Sequence, residues 1–385
     1  MKLVIIIPDG LSDIRYAELG YLSPVEYAHT PALDALVRRG QVGLTQTMYP
    51  GLPLGSLVGI LGLLGYNPVD YFPLGRALFE AHTLGLTLEQ NDAAFRCNIV
   101  RIDQSGRLAD FTAAQIDEVT AKAYLASILP PSPFELYHDL SYRNVLLWRN
   151  CPLDLTQLQL VAPHEVVGEP VARLLPRYQG EPLEPLIKLM LDSRQAGLML
   201  WPWGASRKRQ FPSVPFCLGA VTALSFVAGM VSCLGGEAVV PPGATGYLNS
   251  DLGAKCRALR EWLPDIDVGL IHCNAPDEEA HLGRLQGKVQ AIEAIDRLVV
   301  GPLLEYLAGQ REPYRLLVCP DHYTCCLDGK HRSTPVPYTI AGAGLTANHP
   351  LSGYSEAGIG GVTTSIVKSY ALLPALRIGQ RLLKW

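Results

Sequence analysis

Three apolar runs, each followed within a few residues by an aspartate, constrain this chain most. Leu-Val-Ile-Ile-Ile precedes Asp9, Asp-Val-Gly-Leu-Ile-His-Cys precedes Asp277, and Arg-Leu-Leu-Val-Cys precedes Asp321. Runs of this length read as strands buried on both faces, the pattern of a parallel sheet covered by helices. In such a sheet ligands gather beyond the carboxyl ends of the strands, so side chains distant in sequence converge there with no local motif joining them. Asp9 sits in Pro8-Asp9-Gly10, Asp277 is four residues before His281, Asp321 adjoins His322, and His331 closes a Gly-Lys-His loop. Three carboxylates and three imidazoles are therefore expected at one sheet edge.

The chain is long enough, at 385 residues, for a main domain and a smaller one. With 48% hydrophobic residues, 18% charged residues and a formal charge of −4, it lacks the basic excess that a nucleic-acid partner requires. Its nine cysteines are scattered and form no CxxC pair, which reads as reduced cytosolic thiols, not a disulfide framework or a zinc-thiolate site. Residues 40–69 and 210–236 carry no charged side chain. Prolines and glycines interrupt both, so they are expected as elements buried against the sheet and not as membrane spans. The N-terminus has one basic residue and a short apolar run stopping at Pro8, a first strand and not a signal peptide. A cytoplasmic protein is expected.

Leu3 to Ile7 is a strand, and Pro31 to Arg39 a helix stopped by Gly40, which together make a βα start. From Phe95 to Trp148 the character changes. Phe-Arg-Cys-Asn-Ile-Val-Arg-Ile and Tyr-Arg-Asn-Val-Leu-Leu-Trp are strands, Gly106 marks a hairpin, and 112–128 is a helix. The proline-rich span 163–186 is expected as a return linker, and Leu-Met-Leu-Trp-Pro-Trp-Gly around residue 200 as re-entry to the core. Val289, Ile292, Ile295, Leu298, Val299, Leu303 and Leu304 have the spacing of one helix over 287–308. The expected organisation is a discontinuous catalytic domain, 1–82 and 197–385, interrupted by a smaller α+β insert, 83–196.

Asp277 and His281, four apart, fall on one side of a helix. Carboxylate and imidazole ligands without thiolate suit Mn²⁺, Zn²⁺ or Mg²⁺. Ser56 follows Gly51-Leu-Pro-Leu-Gly55 and opens an apolar helical run. Two roles are open to it: a helix-capping serine, or a nucleophile whose phosphoryl group would lie against backbone N–H groups.

Pro8-Asp9-Gly10, the Gly55 to Pro68 segment with its Leu-Gly-Tyr-Asn-Pro ending, Ala-Phe-Arg-Cys-Asn (94–98), Ser-Tyr-Arg (141–143), Pro-Pro-Gly-Ala-Thr-Gly-Tyr (241–247), Ala-Pro-Asp-Glu-Glu-Ala-His (275–281), Pro-Asp-His-Tyr-Thr (320–324) and His331 with Pro-Val-Pro-Tyr (335–338) occur in this order. The chain thereby resembles the archaeal-type cofactor-independent phosphoglycerate mutases of the alkaline phosphatase superfamily, from residue 1 to about residue 345. The resemblance implies an alkaline-phosphatase-like α/β fold, a mostly parallel sheet flanked by helices, with the insert as a cap. It implies two divalent ions, one held by Asp277, His281 and His331, the other by Asp9, Ser56, Asp321 and His322. It makes Ser56 the residue transiently phosphorylated in converting 3-phosphoglycerate to 2-phosphoglycerate, a glycolytic step, with manganese among the ions expected. His272 is not a ligand in that pattern; a supporting or core role is expected.

Two such ions bring four positive charges, against four negative on Asp9, Asp277, Asp321 and an ionised Ser56. A phosphate dianion then calls for arginine. Arg76, Arg96, Arg143, Arg207 and Lys208 are the candidates for substrate binding, with surface or packing roles as the alternative for each. The chain also departs from the family. Leu57 stands where an acidic residue follows the serine, an arginine pair is absent before Trp201, and Thr222 to Gly229 lacks an Asp and a Lys. The alternatives are a metal-dependent phosphohydrolase or phosphotransferase acting on another small phosphorylated metabolite, and a non-catalytic metal-binding relative. The sequence carries no reading of oligomeric state.

Overall fold

The computed structural model describes residues 1–378; the last residues of the expected catalytic segment, 379–385, lie outside the described residues. The chain forms two compact units, Met1–Phe72 with the residues from Phe211 onward, and Pro73–Gln210.

The first unit is built on an eight-stranded sheet in the order Glu237–Val239, Leu218–Val221, Val268–Cys273, Lys2–Pro8, Tyr314–Val318, Val336–Gly342, Gln41–Gln46, Ile366–Lys368. Every pairing is parallel except the two made by Val336–Gly342. In Lys2–Pro8, Val4 and Ile6 alternate with Ile5 and Ile7, and all four have no exposed surface, because helices cover both faces. Val4, Ile6, Ile271, Leu316 and Val318 pack with Leu36 of helix Pro31–Arg39, Leu259 of helix Leu252–Trp262 and Ile292 of helix Leu285–Ile295. Each such side chain contributes about 1.5–3 kcal/mol relative to an exposed position.

The expected helix over 287–308 is broken. Leu285–Ile295 and Gly301–Ala308 flank a π-helical turn, Asp296–Val300. That turn carries Asp296, whose carboxylate accepts from the N–H groups of Ala32 and Leu33 and so caps helix Pro31–Arg39, a task Thr30 leaves undone. The uncharged spans 40–69 and 210–236 contain strands Gln41–Gln46 and Leu218–Val221 and helices Ser56–Leu63 and Ser225–Cys233. Among the described residues no helix is long and apolar enough to cross a membrane.

The second unit is an antiparallel sheet, Leu198–Arg207, Ala93–Ile102, Arg143–Trp148, Phe134–Leu140, with Leu108–Asp110 paired to Ala93–Ile102. Its boundaries lie at Pro73 and Gln210, where 83 and 196 were expected. Leu198–Arg207 explains the difference: it pairs along most of its length with Ala93–Ile102, so the tryptophan segment belongs to this sheet and is no re-entry to the first core. Helix Glu118–Ala126 is shorter than the expected 112–128. Asp110 accepts from the N–H groups of Thr112 and Ala114, and residues 113–115 take positive φ, which holds them in a turn. The span 163–186 is no simple linker: it holds two 3₁₀ turns and the start of helix Glu184–Asp192, whose Leu186 and Leu189 enter the core of this unit.

Candidate metal centre

The three strands that precede the aspartates are neighbours, with Lys2–Pro8 between Val268–Cys273 and Tyr314–Val318. Their parallel register delivers Asp9, Asp277 and Asp321 to one edge, as the apolar runs imply. Asp9, Asp321 and His322 have no exposed surface, and Asp277 is 7% exposed. The chain turns between them at Gly10, with φ +60°; a Cβ there would lie 2.5 Å from Thr324 Oγ1 and 2.8 Å from Asp277 Oδ1. Only glycine fits that combination of left-handed backbone and close approach.

Asp277 and His281 share helix Ala275–His281, and one turn brings His281 Nε2 to 3.3 Å from Asp277 Oδ2. His331 lies in strand Lys330–Arg332, which pairs with Tyr323–Cys325, and its Nε2 is 3.4 Å from Asp277 Oδ1 and 3.1 Å from His281 Nε2. His322 Nε2 stands 3.3 Å from both Asp9 Oδ1 and Asp321 Oδ2, and 3.1 Å from Ser56 Oγ. The structure thus brings together all seven side chains expected at the centre: Asp9, Ser56, Asp277, His281, Asp321, His322 and His331. Asp277 also lies within ligand reach of Asp9 and His322, so it stands between the two groups.

Ser56 opens helix Ser56–Leu63 but caps nothing; Gly55 occupies the cap position. Its hydroxyl faces Asp9 at 3.2 Å and 3.4 Å instead. The helix is seated by Gly59, where a Cβ would be 2.5 Å from the Asp321 carbonyl oxygen. Close packing one turn after Ser56 therefore fixes the hydroxyl against the carboxylates.

The tautomers follow from the other ring nitrogens. His281 Nδ1 donates to Gly329 O at 2.7 Å and His331 Nδ1 to Leu54 O at 3.1 Å, since a carbonyl can only accept. Thr324 Oγ1 is 2.6 Å from Asp277 Oδ1 and 3.0 Å from His322 Nδ1. Its one proton goes to the carboxylate, so it accepts from His322 Nδ1–H. The neutral His322 ring therefore aims its Nε2 lone pair at Asp9 and Asp321, and a cation bound beside His281 would take the place of the Nε2 proton there.

Burial, then Asp321 and Asp277, push the Asp9 carboxyl well above the usual range, and burial raises Asp321. Burial acts against the charged form of Asp277, but His281 and His331 outweigh it and hold that carboxyl well below the usual range. Burial depresses His281, and Asp277 more than reverses this, to about 9. Burial drives His322 well below its usual value and His272 down to about 4. Crowded carboxylates, the inward lone pair of His322 and a buried Asp321 Oδ2 without a hydrogen-bond donor all call for positive charge. Hard oxygen and imidazole donors fit divalent cations.

A family model described as 2,3-bisphosphoglycerate-independent phosphoglycerate mutase matches residues 37–196. The chain is 33% identical to the 2,3-bisphosphoglycerate-independent phosphoglycerate mutase of Methanothrix thermoacetophila, over 90% of this chain and 92% of that protein. It belongs to this family. Among other members, it is 34% identical to a probable 2,3-bisphosphoglycerate-independent phosphoglycerate mutase of Geobacter sulfurreducens, over 92% and 94% of the two chains. The fold is shared with a Pyrococcus horikoshii protein, at TM-score 0.76 and 24% identity over 100% and 99% of the chains. It is shared too with the cofactor-independent phosphoglycerate mutase of Thermoplasma acidophilum, at TM-score 0.61 and 19% identity over 99% and 100%.

In this member of the mutase family the five basic candidates separate. Arg76 and Arg96 lie over the Trp203 ring, their Cζ atoms 4.9 Å and 4.6 Å from its centroid, and Arg96 Nε is 2.9 Å from Glu80. Arg143 stacks on Tyr142 and acts on Glu80, whose carboxyl burial lifts to about 8 against the pull of Arg76 and Arg143. Arg207 is elsewhere, its guanidinium donating to the carbonyls of Asn91, Asp92, Cys151 and Leu153, a packing role. Lys208 is exposed. His272 Nε2 lies 3.0 Å from Asp9 Oδ2, within hydrogen-bond distance, a supporting position at the end of its buried strand. Thr324 escaped the sequence reading: a threonine in a strand is ordinary, and only the hairpin register opposite His331 marks it.

Proposed function

We propose that this chain is a metal-dependent phosphoglycerate mutase that interconverts 3-phosphoglycerate and 2-phosphoglycerate through a phosphoserine on Ser56. The observation that carries the reading is the Ser56 hydroxyl, free of any capping duty and set 3.1 Å from His322 Nε2 and 3.2 Å from Asp9 Oδ2. Two divalent cations, manganese, zinc or magnesium, are the cofactors, with Asp277, His281 and His331 holding one and Asp9, Ser56, Asp321 and His322 the other. Bound there, they would lower the pKa of the serine hydroxyl and neutralise phosphate charge.

Ser56 Oγ attacks phosphorus in line, the substrate oxygen leaves, and the phosphoryl group returns to the other hydroxyl of the reoriented glycerate. Val58 N–H already donates to Gly55 O, which leaves the Ser56 and Leu57 N–H groups of the first turn to receive phosphoryl oxygens. His272 holds Asp9 in place. Arg76, Arg96 and Arg143 supply positive charge for the anionic substrate, held in preset orientation by Glu80 and the Trp203 ring. Small phosphorylated metabolites are the only partners in this reading. Nine free cysteines, most of them buried, fit a reducing cytoplasm; a glycolytic role goes with the proposed substrate.

The test is an enolase-coupled assay with 3-phosphoglycerate and Mn²⁺. Formation of 2-phosphoglycerate supports the mutase. Release of free phosphate alone makes the chain a phosphohydrolase, and metal uptake without turnover on any of a panel of phosphoesters makes it a non-catalytic relative.

A further inference from the structure

We propose that Thr324 is a positioning residue that couples the two candidate cation sites, an inference that rests on the metal-centre reading above. Its hydroxyl links one residue of each group, Asp277 at 2.6 Å and His322 at 3.0 Å. The hydroxyl has one proton to give and the carboxylate can only accept, so the proton goes to Asp277 and His322 must carry its own proton on Nδ1. That choice leaves His322 Nε2 bare where Ser56, Asp9 and Asp321 converge. The opposite tautomer would place a proton at the point where a cation has to sit.

The hydroxyl's position is fixed several times over. Thr324 N–H donates to Ser12 O at 3.1 Å, and Thr324 O accepts from Lys288 Nζ at 2.6 Å. Lys288 is fully buried and paired with the equally buried Asp13 at 2.9 Å, so the ammonium is a fixed strut beneath the hairpin. A β-branched side chain is stiff about χ1. Gly10 leaves just the space that Thr324 Oγ1 fills, since a Cβ at residue 10 would be 2.5 Å from it. A ligand-orienting hydrogen bond so braced tunes affinity, and it does so here for two ions through one oxygen.

Calorimetric titration of metal-free protein with Mn²⁺ tests this. By the usual size of such effects, Thr324→Val, which keeps the shape and loses the hydroxyl, is expected to bind Mn²⁺ roughly 10–100-fold more weakly, and Thr324→Ser to stay within about threefold of wild type. Wild-type affinity in Thr324→Val, or equal weakening in both variants, overturns the proposal. Wild-type protein that takes up no Mn²⁺ instead contradicts the metal-centre reading itself. A second measurement needs no variant: in metal-free protein labelled with ¹⁵N-histidine, long-range proton–nitrogen correlation is expected to show His322 as the Nδ1–H tautomer. The Nε2–H tautomer overturns the proposal whatever the titrations give.

Discussion

His281 Nε2 and His331 Nε2 lie 3.1 Å apart, and each ring has already committed its Nδ1 proton to a backbone carbonyl. Both Nε2 atoms therefore face one point, which the proton that Asp277 helps His281 to hold, up to about pH 9, occupies until a cation displaces it. Asp277 stands within 3.4 Å of both nitrogens and makes the position more favourable for a cation. Binding there should therefore stabilise the folded chain. With Mn²⁺ at about 100 times its dissociation constant, the expected gain is about 2.7 kcal/mol per site. Asp277→Asn should abolish most of that gain, as read by thermal unfolding with and without Mn²⁺ after chelator treatment. An equal gain in the variant would remove Asp277 from the centre.

Ser56→Ala separates chemistry from folding. Ser56 caps nothing, so its loss removes only the hydroxyl's contacts with Asp9 and His322 and should cost no more than about 1–3 kcal/mol. Turnover and the trapping of a phosphoprotein should both disappear. Denaturant unfolding and a phosphoprotein gel check the two halves, and a variant that still turns over would exclude Ser56 as nucleophile.

Gly59→Ala tests whether helix placement positions the serine. The added methyl would meet the Asp321 carbonyl oxygen at 2.5 Å and Asp321 Cβ at 2.8 Å, so helix Ser56–Leu63 must retreat. Overpacking of this kind costs about 1–3 kcal/mol. Turnover should fall by roughly 10–100-fold, because the helix carries Ser56 away from Asp9. Unchanged kinetics alongside the stability loss would show that the seat of the helix is not what sets the serine.

Glu356 gives the stability a pH dependence that is separate from the metal centre. Burial pushes its carboxyl up to about 7; it accepts from Ser23 Oγ at 2.6 Å and the Asp13 N–H at 3.3 Å, with Glu26 nearby. A carboxyl raised in the folded state binds its proton more tightly there than in the unfolded chain. Its stabilising effect is therefore complete below the unfolded value near 4.5 and is lost as pH rises through about 7. At 1.36 kcal/mol per unit, that loss is roughly 3 kcal/mol. Glu356→Gln, which keeps the shape and stays neutral, should flatten this part of the profile and be the more stable form at pH 8. Parallel profiles for the two proteins in urea unfolding between pH 5 and 8 would contradict it.

The centre was legible where physics ties residue type to place. Apolar runs leading to Asp9, Asp277 and Asp321 could be read as buried parallel strands, and such strands bring their ends together. His281 followed from helical periodicity. Strand direction was not legible: Val336–Gly342 runs antiparallel to its neighbours, yet its apolar pattern is that of the parallel strands beside it. Leu198–Arg207 was assigned to the wrong core for a related reason, since a run of tryptophan and leucine says that it is buried and not against what. Arg207 and Arg96 look alike in sequence; only the fold shows that backbone carbonyls surround one and that the Trp203 ring and Glu80 lie beside the other. Thr324 was hidden because its work depends on hairpin register and on which proton it gives.

The most direct measurement is anomalous scattering at the manganese edge from crystals grown with Mn²⁺. Two peaks are predicted, one among Asp277, His281 and His331, the other among Asp9, Ser56, Asp321 and His322. A map with no peak at these side chains, from protein shown to be folded and saturated with Mn²⁺, would contradict the account.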